Sequence, residues 1–168
     1  TGIIDKQAGM DWTDYVTERV YHKIGAWDIV FNPYLEYPLS RIVPTEYDSL
    51  FRKQQLHGTV HDEGAAMLGG ISGHAGLFAT ANDLMKLIEL YRRMGEYGGE
   101  QLISKEVMEE YTRVQFPENN NRRGLGFDKP SLGMEKLSKQ QAYPTLGASP
   151  ASFGHSGYTG TFVWVDPK

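Results

Sequence analysis

The chain has 168 residues, of which 40% are aliphatic, aromatic or sulfur-bearing, so it can bury a domain-sized core and is not disordered. Its formal net charge of −4 argues against a nucleic-acid-binding protein, because such proteins need a basic face. No apolar run approaches the roughly 20 residues of a membrane span. Since cysteine is absent, disulfides, thiol catalysis and Cys-ligated zinc are excluded, and the cellular compartment stays open.

Helical periodicity marks the beginning of the chain. Apolar residues recur at steps of three and four between Trp12 and Ile24. Asp11 stands where an N-cap is needed, and Gly25 stands where a helix would stop. We therefore expect a largely helical segment from Thr1 to about Gly25.

Residues 26–57 lack this periodicity and are rich in X-Pro pairs and aromatic side chains. This pattern predicts an irregular but packed excursion, with one helical turn near residues 46–52. The aromatic residues fit either of two roles: they cover an edge of the core, or they form a wall of a substrate site.

Two further helices are predicted in the middle of the chain. Thr80 and Asp83 are spaced as a reciprocal capping box, and the helix that follows should end by Gly95 or at the next glycine pair. Ser104 is placed to begin a second, shorter helix. The apolar stripe of that helix comprises Val107, Met108 and Tyr111.

Beyond these helices the regular patterns weaken. Gly124 to Phe127 suits a short strand, whereas residues 129–152 are dominated by Gly, Pro, Ser and Lys. We expect this last segment to be an exposed excursion with little regular structure.

The stretch from Phe153 to Val165 has two different halves. Its second half alternates as a strand does, with Thr161, Val163 and Val165 on one face and Phe162 and Trp164 on the other. Its first half carries three glycines within seven residues, which leave the backbone approachable. By chemistry alone, this first half is either a glycine-rich turn before a buried strand or a segment that exposes His155-Ser156-Gly157 to a ligand. Residues 166–168 read as a turn after the strand, and the returning strand either follows in a longer chain or comes from a partner. Because an unpaired apolar strand would aggregate, we expect its neighbours to be supplied.

Two segments carry a resemblance to a known family. Residues 58–66 (GTVHDEGAA) and 68–80 (LGGISGHAGLFAT) are followed, much later, by the triplet His155-Ser156-Gly157. In this order they resemble the serine β-lactamase and penicillin-binding-protein superfamily, in its class C-like branch with esterases and D-aminopeptidases. The resemblance implies an α+β fold: a single incomplete domain over residues 1–168, with helices, long loops and a few antiparallel strands.

The resemblance also implies roles for the residues of the triplet. His155 would offer a positive or hydrogen-bonding group, and Ser156 would donate to a substrate carboxylate or carbonyl. Gly157 would keep the strand approachable. The backbone N–H of Tyr158 would be one oxyanion-hole donor, so that His155 and Tyr158 are the expected catalytic contributors.

A supporting loop is expected beside that site. Asp62 would accept hydrogen bonds from backbone N–H groups of the glycine-rich turn and so brace residues 69–76. Gly73 and His74 belong to this turn, and His74 is expected to be a buried structural histidine, with direct substrate contact as the alternative.

No cofactor and no metal are expected. His57 and His61 are four residues apart, as two ligands on a helix would be, but Gly58 and the β-branched residues after it disfavour a helix there. A phosphate-binding loop at Gly69 is disfavoured because no Lys-Ser/Thr pair follows.

The chemistry of the superfamily needs two motifs that this sequence lacks. Neither Ser-x-x-Lys nor Tyr-x-Asn occurs in it, and in the family both lie upstream of the segments matched here. We therefore expect part of a serine acyl hydrolase of β-lactamase, D-Ala carboxypeptidase or esterase type, inactive alone. Its partners would be a small-molecule or peptide substrate and the missing N-terminal half or another chain. The parent could then be periplasmic or secreted. The alternative is a non-catalytic binding or structural module of a larger protein.

Overall fold

The computed structural model describes residues 2–168, so the part of the predicted first helix at Thr1 lies outside the described residues. Its contacts divide the chain into two compact units, Thr1–Lys86 and Leu87–Lys168, and each unit is described by itself. The prediction of a single domain over residues 1–168 stays a prediction. Among the described residues, no helix is long and apolar enough to cross a membrane.

The elements of the first unit are short. In chain order they are α1 (Gly2–Ala8), α2 (Trp12–Val16), a π-helical turn (Thr17–Tyr21), β1 (Val30–Phe31), 3-10 turns (Pro33–Leu35 and Leu39–Arg41), β2 (Tyr47–Asp48), β3 (Gln54–Gln55), α3 (Glu63–Met67) and β4 (Leu77–Phe78). Strand β1 pairs antiparallel with β4, and β2 pairs antiparallel with β3. The helix α4 (Ala81–Arg92) begins in this unit.

The helical start of the chain is confirmed, but it is broken into pieces. Gly9, at φ +68°, separates α1 from α2, and the carboxylate of Asp11 caps α2 by accepting from the N–H of Thr13 at 2.8 Å. Gly25 has φ +69°, a left-handed conformation that suits glycine at a helical stop. Tyr21 and Ile24 from this segment are buried.

The helical turn expected near residues 46–52 is wrong. The structure has a β2–β3 hairpin there, because the buried carboxylate of Asp48 gathers the turn backbone. It accepts from the N–H groups of Leu50 (3.1 Å), Phe51 (2.9 Å) and Arg52 (3.0 Å). The Arg52 guanidinium binds the same carboxylate at 2.9 Å. An aspartate at the first position of a turn stabilises it in this way.

The capping box at the start of α4 is half correct. The Thr80 hydroxyl accepts from the N–H of Asp83 at 3.2 Å, as predicted. The carboxylate of Asp83 has other partners: it accepts from the N–H of Asp28 at 2.7 Å and from Lys86 at 2.7 Å. Asp83 therefore ties the helix start to the chain before β1.

The second unit contains the rest of α4 and five further regular elements. They are β5 (Glu96–Tyr97), β6 (Glu100–Gln101), α5 (Lys105–Thr112), β7 (Phe153–Ser156) and β8 (Phe162–Val165), together with 3-10 turns at Pro117–Asn119 and Met134–Lys136. The strands form two antiparallel pairs, β5 with β6 and β7 with β8.

The core of the second unit is centred on Met108, Phe153 and Val165. Phe127 packs edge-to-face against Phe153, with 5.1 Å between ring centroids. The predicted helix after Ser104 is confirmed, and the Ser104 hydroxyl accepts from the N–H of Val107 at 3.3 Å. Its buried stripe is narrower than predicted, since Met108 is buried while the other two members are exposed.

The predicted strand at residues 124–127 is wrong, because the backbone pairs one residue later. Asp128 forms an isolated bridge with Gly154: each N–H donates to the other's carbonyl, at 2.7 and 3.0 Å. Residues 129–152 have little regular structure, as predicted, but they are not exposed throughout. Lys129, Pro130 and Ser152 are buried.

Candidate active site

The triplet His155-Ser156-Gly157 lies at the turn end of a β-hairpin. Strand β7 contains the first two residues and pairs with β8 in the register Phe153↔Val165, Gly154↔Trp164, His155↔Val163 and Ser156↔Phe162. The prediction that β8 has a neighbouring strand is confirmed on one side, where the first half of the same stretch is that partner and no strand from elsewhere is needed. Sequence periodicity missed it because its alternation is hidden by small residues.

The hairpin is buried at one end and exposed at the other. Phe153 is 1% exposed and Val165 is 4% exposed, whereas His155, Ser156 and Gly157 are all exposed. The core thus fixes one end of β7 while the triplet is presented to solvent. This combination gives a rigid platform for polar groups that can meet a ligand.

The two triplet side chains lie on opposite faces of the hairpin. Since directly paired residues of an antiparallel ladder share a face, His155 lies on the face of Val163 and Ser156 on the face of Phe162. Gly154 belongs to the Ser156 face, where a side chain at this position would collide with the Trp164 ring and the Val163 carbonyl.

The imidazole of His155 has a defined tautomer. Its Nδ1 lies 2.8 Å from the carbonyl oxygen of Ser156, and a carbonyl can only accept, so Nδ1 carries the hydrogen. In the neutral ring Nε2 then holds the lone pair, and in the charged ring it donates. Among residues 2–168, the Ser156 hydroxyl has no hydrogen-bond partner, so it can donate a hydrogen bond to a ligand and accept one from it.

The connection between the two strands is a tight turn. The N–H of Gly160 donates to the carbonyl of Gly157 at 3.1 Å, and the N–H of Gly157 donates to the carbonyl of Thr161 at 2.7 Å. Tyr158 is therefore the first central residue of a β-turn, and its side chain is 92% exposed. An added side-chain carbon at Gly157 would collide with the Thr161 hydroxyl, which explains a glycine there on steric grounds.

The loop residues predicted to support the site lie in the first unit. Asp62 is the N-cap of α3, where it accepts from the N–H of Ala65 at 2.7 Å. Its Oδ1 is also 3.0 Å from Nε2 of His74, whose Nδ1 is 2.8 Å from the Ser72 hydroxyl. The Ala65 hydrogen bond, followed by that from His74, lowers the pKa of Asp62 below the ordinary value.

Two details of that prediction are wrong. The His74 side chain is 60% exposed, not buried. Asp62 braces the glycine loop through the His74 imidazole, not through backbone N–H groups of the loop. Gly73 shows no steric need for glycine, since an added side-chain carbon would meet nothing within 4 Å.

The loop instead needs the glycines on either side. Gly70 leaves no room for a side chain beside the amide of Asn32, which donates from Nδ2 to the Gly69 carbonyl at 2.9 Å. Gly76 has φ +114° and lies against the Gly70 carbonyl. Asn32 itself is buried with φ +48°, and the Asn-Pro pair after which the chain turns was its only sequence signal.

Among the described residues, no three His, Cys, Asp or Glu side chains are gathered as metal ligands would be. His57 and His61 have separate local contacts: Nε2 of His57 lies 2.7 Å from the Ile42 carbonyl, and Nε2 of His61 lies 2.6 Å from a Glu46 oxygen. The two imidazoles therefore have different partners and do not share a ligand position.

The sequence profile of the Beta-lactamase family matches residues 1–168. The chain belongs to this family. The resemblance identified from the two segments and the triplet is thereby confirmed, as is an α+β fold of partial β-lactamase type.

Curated relatives and a solved structure are similar to the chain. Proteins named "Putative D-alanyl-D-alanine carboxypeptidase" from Escherichia coli O157:H7 and from Escherichia coli K12 are 33% and 32% identical to the chain. Each match covers 98% of the chain and 39% of the relative, so the chain spans about two fifths of their length. A beta-lactamase structure from Mycobacterium bovis is 20% identical, with a TM-score of 0.53, over 98% of the chain and 47% of that protein.

Proposed function

We propose that this chain forms the substrate-binding strand and supplies one oxyanion donor of a serine acyl hydrolase of β-lactamase, D-Ala carboxypeptidase or esterase type. The observation that carries the proposal is the β7–β8 hairpin, whose end at Phe153 is fixed in a core while His155, Ser156 and Gly157 are exposed. The family match and the names of the relatives support the reaction class.

Each group on the hairpin has a distinct task in this proposal. The substrate acyl group lies beside Gly157, where the absence of a side chain lets the scissile carbonyl approach the backbone. The N–H of Tyr158 stabilises the negative charge that develops on that carbonyl oxygen in the transition state. The Ser156 hydroxyl and Nε2 of His155 bind polar groups of the substrate from the two faces of the strand.

The nucleophile of the reaction is contributed by further polypeptide. The sequence contains no Ser-x-x-Lys and no Tyr-x-Asn, the motifs that provide the nucleophile and its proton transfer in this family. The proposal therefore assigns the chain no acyl transfer of its own. Its partner is the N-terminal part of a family domain, in the same polypeptide or in another.

The turn offers a matched pair of variants that separates the backbone of Tyr158 from its side chain. Proline fits the first central position of a β-turn, so Tyr158→Pro removes the N–H and leaves the turn intact. Tyr158→Ala keeps the N–H and removes the ring of a residue that is 92% exposed. In an active longer protein that contains this chain, we expect Tyr158→Pro to lower kcat by about 10²–10³-fold.

We expect Tyr158→Ala to change kcat by less than about threefold in the same assay, because the N–H is retained. The measurement is steady-state hydrolysis of a chromogenic ester or β-lactam, with circular dichroism to verify the fold of both variants. Equal activity in Tyr158→Pro and Tyr158→Ala would remove the oxyanion donor from the proposal.

A further inference from the structure

A polar cavity lies in the second unit, and its residues take no part in the proposed acyl-transfer chemistry. It has a volume of about 480 Å³ and is lined by Asn120, Asn121, Arg122, Arg123, Ser131 and Leu132. We refer to it as the arginine cavity. Two guanidinium groups line this one cavity, although the formal net charge of the chain is −4.

Arg122 is a fixed wall of the arginine cavity. Its Nη1 donates to the Lys129 carbonyl at 2.6 Å, and its guanidinium lies over the Tyr143 ring at 4.5 Å from the ring centroid. Its side chain is only 29% exposed. A guanidinium held by stacking and by a backbone carbonyl loses little further freedom when a ligand binds.

Arg123 has its donors available. Its Nη1 lies 3.1 Å from Oδ1 of Asp128, yet that buried oxygen accepts no hydrogen bond from any described residue. The N–H groups of Arg123 are therefore not directed at this oxygen, although the carboxylate is close enough to attract the charge. The Arg123 side chain is 56% exposed, which leaves its planar set of donors open to a ligand.

The local charges do not cancel. Within residues 2–168, Asp128 is the carboxylate that lies within 4 Å of these guanidinium groups, at 3.5 Å from Arg122 and 3.1 Å from Arg123. Two positive groups against one negative group leave one positive charge at the cavity. An oxyanion would neutralise this charge and satisfy the open donors of Arg123 together.

Two neutral residues add donors on the same lining. Oδ1 of Asn121 accepts from the N–H of Arg123 at 3.0 Å, so the amide NH₂ of Asn121 remains to donate. The Ser131 hydroxyl accepts from the N–H of Tyr143 at 3.1 Å, so its hydrogen remains to donate. The Asn121 amide and the Ser131 hydroxyl thus add donors to those of Arg123, which suits an anion.

We infer that the arginine cavity binds the oxyanion group of a small ligand, a carboxylate or a phosphate. Arg123 and Ser131 make the direct contacts, while Arg122 holds the wall and supplies charge. The inference does not depend on the proposed acyl-hydrolase function, because it uses none of the residues of the β7–β8 hairpin.

The test is a titration of the 168-residue chain with inorganic phosphate and, separately, with acetate at low ionic strength, followed by calorimetry. We expect saturable binding of at least one of the two. Tighter binding of phosphate identifies a phosphate-bearing ligand, and tighter binding of acetate identifies a carboxylate-bearing one. Absence of saturable binding by both anions overturns the inference.

Variants locate the binding. Arg123→Gln should weaken it by at least about tenfold, because a charged donor pair is lost. Ser131→Ala, which retains both arginines, should weaken it by at least about threefold. Arg92→Gln is the control, since Arg92 is a similarly exposed arginine that is paired with Glu89 on α4. Unchanged binding in Arg123→Gln, or an equal loss in Arg92→Gln, overturns the inference.

Discussion

At the scale of single residues, carboxylates organise much of the first unit. Asp11 caps α2, Asp62 caps α3 and contacts His74, Asp83 ties α4 to Asp28, and Asp48 holds the β2–β3 turn. In each case a short acidic side chain satisfies backbone N–H groups that a helix or turn leaves without a partner. These residues explain how such short elements as α2, α3 and the β2–β3 hairpin keep a defined geometry.

Asp48 gives a pH-dependent prediction. The N–H of Phe51 and then the Arg52 guanidinium hold the pKa of its carboxyl far below the ordinary value. A lowered pKa means that the unfolded chain binds the proton more readily than the folded chain. The contribution of Asp48 to stability is therefore complete above the ordinary pKa of about 3.9 and is lost as the pH falls towards the folded-state pKa.

We expect Asp48→Asn to be less stable than the unmodified chain at pH 7, and we expect this gap to narrow as the pH falls from 5 to 3. The measurement is urea unfolding at several pH values, with Asp14→Asn as the control at an exposed carboxylate in α2. A gap of constant size over this range would contradict the role given to Asp48.

At the scale of elements, the hairpin depends on close packing around a glycine. An added side-chain carbon at Gly154 would overlap the Trp164 ring and the Val163 carbonyl, neither of which can move without disturbing β8. Trp164 is in turn held between Phe162, at a centroid distance of 6.0 Å, and Tyr143, at 5.5 Å. The spacing of the strands is thus set by an aromatic ring lying over a glycine.

Gly154→Ala should consequently destabilise the chain by about 1–3 kcal/mol, the usual cost of overpacking. Gly147→Ala is the matched control, because an added carbon there would meet nothing within 4 Å and the residue has no positive φ. Denaturant unfolding measures both. If the two variants were equally stable, the packing of Trp164 on Gly154 would not determine the hairpin geometry.

The sequence predicted elements well where periodicity and caps agree. The helices after Asp11, Thr80 and Ser104 were all found where their caps placed them. It failed where a turn decides the outcome: Asp48 gathers the N–H groups of residues 50–52 into a hairpin turn, and residues 153–156 become a strand because residues 162–165 pair with them. Hydrophobic periodicity detects neither interaction.

The candidate site shows the same division. The glycine-rich pattern predicted an exposed triplet as one of two alternatives, and the resemblance identified the family from residues 58–66 and 68–80 together with the triplet. The His74–Asp62 contact and the need for glycine at positions 70 and 76 were not predictable, because they depend on the path of the loop and on Asn32. The roles assigned to His155, Ser156, Gly157 and Tyr158 remain proposals for experiment.

At the scale of the whole molecule, the central claim is that the chain supplies a binding strand and not a nucleophile. The match with the relative from Escherichia coli O157:H7 covers 98% of the chain but only 39% of that relative. The sequence also lacks the two motifs that carry acyl transfer. Covalent serine probes distinguish the two possibilities directly, because they react only where an activated serine is present.

The most direct measurement is therefore labelling with a fluorescent penicillin and a fluorophosphonate, on this chain and on a longer protein that contains it, with a known serine hydrolase as positive control. We predict that the longer protein is labelled and that the 168-residue chain is not. Labelling of the chain itself would contradict the account, since one of its own serines would then be the nucleophile. Failure of both to label would favour a non-catalytic module.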